Sequence, residues 1–281
     1  MSLQLPPWLD KVLYQDIGAT FNKACKPIVV KGCSDEALRD YLGTYFPRSY
    51  AESRSIFTKF FQDNRSCFQR LSELSVLDFG CGAGGDFFGL MDAIEEVLPN
   101  INCVNCILID ADIRNKEFGK VIFDERRQFS RIRTVGRYLQ FEIINIEDFK
   151  SIPNIIGSKL KGKFDIVLTF KTVNEILQRQ FSGEGNPYAA FIEGLWPLLK
   201  MNGFMCVADL TFKYPDDMTG SWLGDILDDG LHQSKLLECV VARNANSRES
   251  FSVSHSKYHN DSSNLLWRII QKPNMFGEDP F

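Results

Sequence analysis

The stretch Ser75-Val-Leu-Asp-Phe-Gly80-Cys-Gly82-Ala-Gly84-Gly85-Asp86 constrains this chain more than any other. A short apolar run passes into four glycines within six residues, and a helical pattern of apolar positions follows from Phe87 to Val97. Glycine reaches backbone conformations that side chains forbid, so such a loop can turn sharply and lay its amides against a ligand. The helix behind it presents unpaired N–H groups in its first turn. Strand, glycine turn and helix in that order open a parallel crossover unit.

The rest of the chain repeats the alternation. Cys103-Val-Asn-Cys-Ile-Leu-Ile-Asp110 reads as a buried strand ending in an acid, followed by a helix around 113–130 and a third strand at Leu139–Asn145. Gly162–Phe170 is the fourth strand, with a helical run through Ile176-Leu177. Ala189–Leu199 makes a further helix and Gly203–Asp209 a fifth strand. After a helix near 221–236, Leu237–Ala242 and Leu265–Ile270 read as two last strands, and Phe251–Ser256 as a further one between them. Strands alternating with helices at this spacing predict an α/β fold, a doubly wound and mainly parallel sheet with helices on both faces.

Residues 1–70 differ in character and read as helical. Ser34 offers an N-cap after the break at Pro27–Cys33, and Tyr50, Ile56, Phe57, Phe60 and Phe61 mark one face of a helix over Arg48–Asn64. The expected organisation is a helical N-terminal extension or lid over 1–70 and one catalytic domain over 71–281. At 281 residues, with 44% apolar and 24% charged residues, the chain has the composition of a packed globular protein and needs no disulfide or metal staple. Its net charge of −4 argues against a generally basic nucleic-acid coat. No run of 18 apolar residues occurs, and Met1–Asp10 lacks a leader pattern, so the expected location is cytoplasmic, off the membrane, with the eight cysteines reduced.

The glycine spacing satisfies two patterns. Gly80, Gly82 and Gly85 fit the G-x-G-x-x-G of dinucleotide sites. Val76-Leu-Asp-Phe-Gly-Cys-Gly-Ala-Gly84 resembles motif I of class I S-adenosylmethionine (SAM)-dependent methyltransferases, and the resemblance continues in order over residues 75–210. It implies a Rossmann-like fold and SAM as cofactor. Gly80, Cys81, Gly82 and Gly84 would then receive the methionine moiety, with Asp78 supporting its ammonium. Asp110, followed by Ala111, would hold the ribose hydroxyls. Asn145 and Ile146 would meet adenine, with Asn145 standing where the family usually has Asp, and Phe170 would pack on the adenosine or floor the transfer site. An NAD(P)-dependent oxidoreductase is the less favoured alternative, because Asp78 would crowd negative charge beside a pyrophosphate.

The methyl acceptor is less legible. Lys171, Asn174 and Glu175 follow the fourth strand, and Asp209 and His255 are further candidates for proton acceptance. Tyr45-Phe-Pro-Arg-Ser-Tyr-Ala-Glu-Ser-Arg54 loosely resembles the opening segment of a methyltransferase-like family associated with the small ribosomal subunit. That resemblance implies, as an alternative to a small-molecule or RNA methyltransferase, a non-catalytic ribosome-assembly or binding factor. Arg126, Arg127, Arg131, Arg133 and Arg137, with Lys120, form the one basic cluster and are the candidate RNA contacts. No metal site is expected: Cys103 and Cys106 lack a partner pair, and His255 and His259 lack a third ligand.

Overall fold

The computed structural model describes residues 2–25, 33–143, 146–156, 163–178, 185–211, 223–244 and 248–273. Among these residues nine strands form one sheet: β1 (Leu3–Gln4), β2 (Glu73–Phe79), β3 (Cys103–Asp110), β4 (Arg133–Gln140), β5 (Phe164–Phe170), β6 (Leu199–Leu210), β7 (Val240–Arg243), β8 (Glu249–His255) and β9 (Tyr258–Gln271). Their order is β1-β8-β9-β6-β5-β2-β3-β4, with β7 on β9. β3 with β4, and β5 with β6, pair in parallel, while β7 and β9 run antiparallel. From β2 the chain winds outward through β3 and β4 one way, then through β5 and β6 the other. The order therefore reverses at β2, and a doubly wound sheet takes its ligand beyond the carboxyl ends of the strands at such a reversal.

The helices are α1 (Pro7–Lys11), α2 (Asp35–Asp63), α3 (Gly85–Val97), α4 (Arg114–Arg126), α5 (Ile146–Ile156), α6 (Thr172–Gln178), α7 (Pro187–Leu195) and α8 (Leu223–Gln233). By compactness the chain divides into Met1–Leu74, Asp78–Glu142 and Ser250–Leu265 as one unit and Ser75–Leu77, Ile143–Glu249 and Leu266–Phe281 as the other. Strands β2 and β9 run through both.

In the first unit, α2 lies across α3. Gly85 and Gly89, one turn apart on α3, face the α2 backbone so closely that a Cβ on Gly89 would stand 2.3 Å from the Tyr50 carbonyl oxygen. Ser53 Oγ donates to the Asp86 carbonyl at 2.6 Å across the same crossing. Ser34 caps α2 by accepting from the Ala37 amide, as the sequence suggests. The helix then runs unbroken through Pro47, so the helix expected from Arg48 is the second half of one 29-residue helix. Proline at 47 cannot donate to the Gly43 carbonyl four residues back. Tyr14 Oη donates to it instead, at 2.6 Å. That hydrogen bond from a distant side chain is invisible to a local reading.

Two further expectations change. The N-terminal stretch contributes a strand, because Leu3–Gln4 pairs in parallel with Val253–Ser254 of β8. The third crossover strand is Arg133–Gln140 rather than Leu139–Asn145. Strand β4 ends the sheet order, and Arg133, Val135 and Arg137 alternate outward into solvent. A half-solvated edge strand needs no continuous apolar run, and the more apolar segment after it drew the expectation too far along the chain.

In the second unit, α5 and α7 pack through Phe149 and Phe191, whose rings meet edge to face at 5.2 Å. Lys200 reaches Asp165 at 2.8 Å, and Asp165 also accepts from the Ser75 amide, fixing the start of β5. Among the described residues no helix is long and apolar enough to cross a membrane.

Candidate functional site

The glycine loop follows β2 directly. Gly80 and Cys81 both donate their amides to the Ile109 carbonyl, at 2.8 and 3.0 Å, which binds the loop to the end of β3. Gly80, Gly82 and Gly84 hold φ of +76°, +52° and +91°, the left-handed region that an L side chain resists. Gly84 caps α3 in this conformation, so α3 starts immediately behind the loop. A Cβ built on Gly82 would meet nothing within 4 Å, so the loop backbone borders open space at this point.

Asp110 closes β3 and grips the loop. Its Oδ2 accepts from the Gly82 amide at 2.9 Å, and its Oδ1 from the Asp112 amide at 2.8 Å and Asn115 Nδ2 at 3.0 Å. Asp112 is held in turn by Arg114, whose guanidinium also reaches Asp35. Ala111 accepts from Gln140 Nε2 through its carbonyl. Beneath the loop, Tyr138 donates to the Ala83 carbonyl at 3.4 Å and lies against Gly119.

The electrostatics of the loop are one-sided. Asp78 is 0% exposed, and neither carboxylate oxygen has a hydrogen-bond donor among the described residues. Burial pushes its carboxyl well above the ordinary carboxylate range, and the charges acting on it, Asp86 and Asp110, push it the same way. Asp86, in the first turn of α3, is 3% exposed. Asp110 is raised mainly by burial, against the three donors that favour its ionised form. Burial likewise raises Cys81 and Tyr138, and it takes Cys106 to about 12. Three carboxyls thus flank an open loop. That donor set fits a ligand carrying positive charge and hydroxyls, and it opposes a diphosphate.

Asp86, Asn115 and Tyr138 were not singled out by the sequence. An acid in a first helical turn reads as helix chemistry, since it complements the helix dipole. Only the fold shows that Asp86 lies beside Asp78.

In the second unit, Phe170 ends β5 and is buried. Lys171 follows with φ +61°, its amide donating to the Ala208 carbonyl at 2.8 Å. A lysine in this region carries strain of order 1–3 kcal/mol, a feature that gathers at functional turns. Asp209 locks the turn. It accepts from the Asn174 amide at 3.0 Å, Asn174 Nδ2 at 2.5 Å, Tyr188 Oη at 2.9 Å and its neighbour's amide, Leu210 N, at 2.7 Å. Burial raises its carboxyl to about 6, with those donors holding it down. Glu175 lies half-buried in the first turn of α6. Ile146 opens α5, and Asn145 lies outside the described residues.

His255 belongs to the first unit, at the end of β8. It is 1% exposed, both ring nitrogens lack a partner among the described residues, and it stacks on Tyr14 with Phe21 at its edge, each ring 5.2 Å away. The basic cluster does not form one patch. Arg126 is buried and pairs with Glu95 at 2.6 Å and Asp92 at 3.0 Å. Arg131 donates to the carbonyls of Ile101, Glu95 and Leu98 at the end of α3, and Arg127 pairs with Asp124. Arg133 and Arg137 stand exposed on β4, and Lys120 on α4. Among the described residues, no group of three or more His, Cys, Asp or Glu is placed to hold a metal ion.

No family model matches the chain, and no curated protein matches it. Among solved structures, it is similar to a candidate RNA methyltransferase of Pyrococcus horikoshii, at 10% identity and a TM-score of 0.47, over 95% of this chain and 97% of that one. A candidate methyltransferase of Bacillus halodurans is similar at 13% identity and a TM-score of 0.46, over 78% and 100% of the two chains. A candidate class I SAM-dependent methyltransferase of Listeria monocytogenes is similar at 15% identity and a TM-score of 0.46, over 90% and 73%.

Proposed function

We propose that the chain is a SAM-dependent methyltransferase whose cofactor sits on the Gly80–Gly84 loop. The observation that carries this reading is the fully buried Asp78, without a donor among the described residues, beside Asp86 and Asp110 at a loop whose backbone borders open space. Of the two ligands the glycine spacing allows, a dinucleotide would bring a diphosphate dianion against these carboxyls. SAM brings an ammonium, a sulfonium and ribose hydroxyls, each suited to an acceptor-rich site. When bound, SAM supplies an activated methyl group, and what the chain contributes is binding and alignment. Asp78 would accept from the ammonium. Asp110, already oriented by Gly82, Asp112 and Asn115, would accept from the ribose hydroxyls with its remaining lone pairs.

In the second unit, the strained Lys171 and the Asn174 turn held by Asp209 form a preorganised polar set after β5. Within this proposal a small-molecule acceptor is better supported than RNA, because Arg126, Arg127 and Arg131 are engaged by the protein itself.

Titration calorimetry tests the reading. The expected result is binding of SAM and of its demethylated product with no binding of NAD, and Asp110→Ala weakening SAM by about 1.5–3 kcal/mol through lost hydrogen bonds to a charged group. A preference for NAD, or no SAM binding at high micromolar concentration, overturns it.

A further inference from the structure

The imidazole of His255 is a buried base at a seam. It ends β8 with 1% of its surface exposed, and neither ring nitrogen has a partner among the described residues. Tyr14 covers one face of the ring at 5.2 Å, the two planes 23° apart, and Phe21 meets it edge-on at 5.2 Å. Both of these rings belong to the N-terminal segment, which lies along the same strand. Leu3–Gln4 pairs with Val253–Ser254, the Leu5 amide donates to the Ser254 carbonyl at 2.9 Å, and the Ser256 amide donates to Asp10 Oδ1 at 2.8 Å. Residues 17–22 are fastened separately to α2. Arg39 donates to the Ile17 carbonyl, Asn22 Nδ2 to Asp40 and the Asn22 amide to Thr44. Between the two parts stands Gly18, with φ +72°.

We propose that residues 3–16 form an acid-weakened latch on β8, which opens more often when His255 takes up a proton. The charged and titratable groups around the ring are Asp10 from α1, Tyr14 from the turn Val12–Asp16, Arg48 from α2, and His259 and Asp261 from β9. At the rim, Lys257 Nζ lies 5.9 Å over the Tyr14 ring and Lys23 donates to Tyr258 Oη at 3.1 Å. Both acids already serve other donors. Asp261 accepts from Arg48 Nε and Nη2, each at 2.8 Å, and Asp10 accepts from the Ser256 amide. An imidazolium in the closed form would carry a donor on each nitrogen and find no acceptor for either among the described residues. Burial accordingly depresses the His255 pKa below its ordinary 6.5 and is the largest influence on it. When residues 3–16 swing away about Gly18, Tyr14 leaves the ring face and water reaches the imidazole, so the open form holds the proton better. Leu5, Leu9, Val12 and Leu13 are buried and keep the segment down at neutral pH, where openings are rare. Each opening also takes Tyr14 Oη from the Gly43 carbonyl, which loosens α2 at Pro47. The latch is independent of the ligand that the glycine loop takes.

The test is hydrogen–deuterium exchange of the full chain at about pH 7.5 and about pH 5, with exchange times scaled for the intrinsic amide rate. A free histidine titrates at 6.5, so the opening constant of residues 3–16 should rise by up to about thirtyfold over that interval. The amides of α3 and β5 should not share the rise. His255→Phe and His255→Gln carry no titrating ring at this position and should abolish it, whereas His259→Gln, at an exposed neighbour, should keep it. In the unmodified chain, the imidazole C–H resonances of His255 should titrate below 6.5. A ring that titrates at or above 6.5 overturns the latch, because the closed form would then hold the proton at least as well as the open one. An opening constant equal at the two pH values overturns it too, as does a rise that persists in either His255 variant. A rise spread equally over α3 and β5 marks global unfolding and overturns it as well.

Discussion

Replacing Gly89 with alanine sets two known effects against each other at the crossing that seats α3 behind the glycine loop. Alanine is the better helix former by about 1 kcal/mol. Its methyl group, however, would stand 2.3 Å from the Tyr50 carbonyl oxygen, 2.9 Å from the Arg54 amide nitrogen and 3.0 Å from Ser53 Cβ. Two of these three atoms are helix backbone, so no rotamer change relieves the overlap. Ordinary contact needs about 3.5 Å, and α2 must therefore retreat from α3 by about 1 Å. Such overpacking costs typically about 1–3 kcal/mol, occasionally more. The retreat also stretches the Ser53–Asp86 hydrogen bond, worth roughly 0.5–1.5 kcal/mol. The expected net effect is a destabilisation of about 1–3 kcal/mol, read as a lower urea midpoint at unchanged slope. Gly224 on α8 is the internal control. A Cβ there meets only Leu266 Cδ2 at 3.4 Å, so Gly224→Ala should be neutral or stabilising by up to about 1 kcal/mol. If Gly89→Ala is as stable as the parent, the close crossing is refuted.

Three other substitutions probe the first unit. His255 is buried with both nitrogens unpartnered among the described residues, and burial lowers its pKa against the opposing pull of Asp261 and Asp10, with Arg48 and His259 adding to the depression. A depressed folded value means that the stability gained by keeping the ring neutral is complete above the unfolded value of 6.5 and declines as the pH falls below it toward the folded one. His255→Phe should gain up to about 1–3 kcal/mol near neutral pH and flatten the acid side of the profile; denaturation midpoints at about pH 7.5 and about pH 5 that move in parallel with the parent's would contradict this. Tyr14→Phe should cost about 1–3 kcal/mol by leaving the Gly43 carbonyl unmet. Pro47→Ala restores an amide to that carbonyl, so it should recover more stability in the Tyr14→Phe background than alone. Additive effects in the double-mutant cycle would show that the two do not share the carbonyl.

These residues also show where a sequence stops being readable. The crossover order and the position of the glycine loop are local matters of apolar runs, glycine spacing and Pro or Asn stops, and β2, β3, β5 and β6 lie where those signals put them. Strand β4 was displaced because an edge strand with one face in solvent carries arginines where a buried strand carries valines. The continuity of α2 through Pro47 depends on Tyr14, 33 positions upstream of the proline, and no window of helical periodicity contains that partner. The arginine cluster misled for a related reason. Five like charges within twelve residues look like one surface, yet α4 turns Arg126 inward to Glu95, Arg127 pairs with Asp124 and Arg131 caps the end of α3, while Arg133 and Arg137 stand on β4. The site follows the same rule. Gly80, Gly82, Gly84 and the acids ending strands are legible because backbone chemistry demands them at fixed spacing. Asp86 is not, since its meaning lies in the partner it meets, eight residues away in sequence and across the loop in space. A donorless acid next to a second acid is unfavourable in isolation, and no local rule would place it there. It becomes sensible only if a cation arrives. For that reason the affinity for SAM measured against that for NAD, rather than the glycine pattern, is the quantity that tells this site's ligand from a dinucleotide.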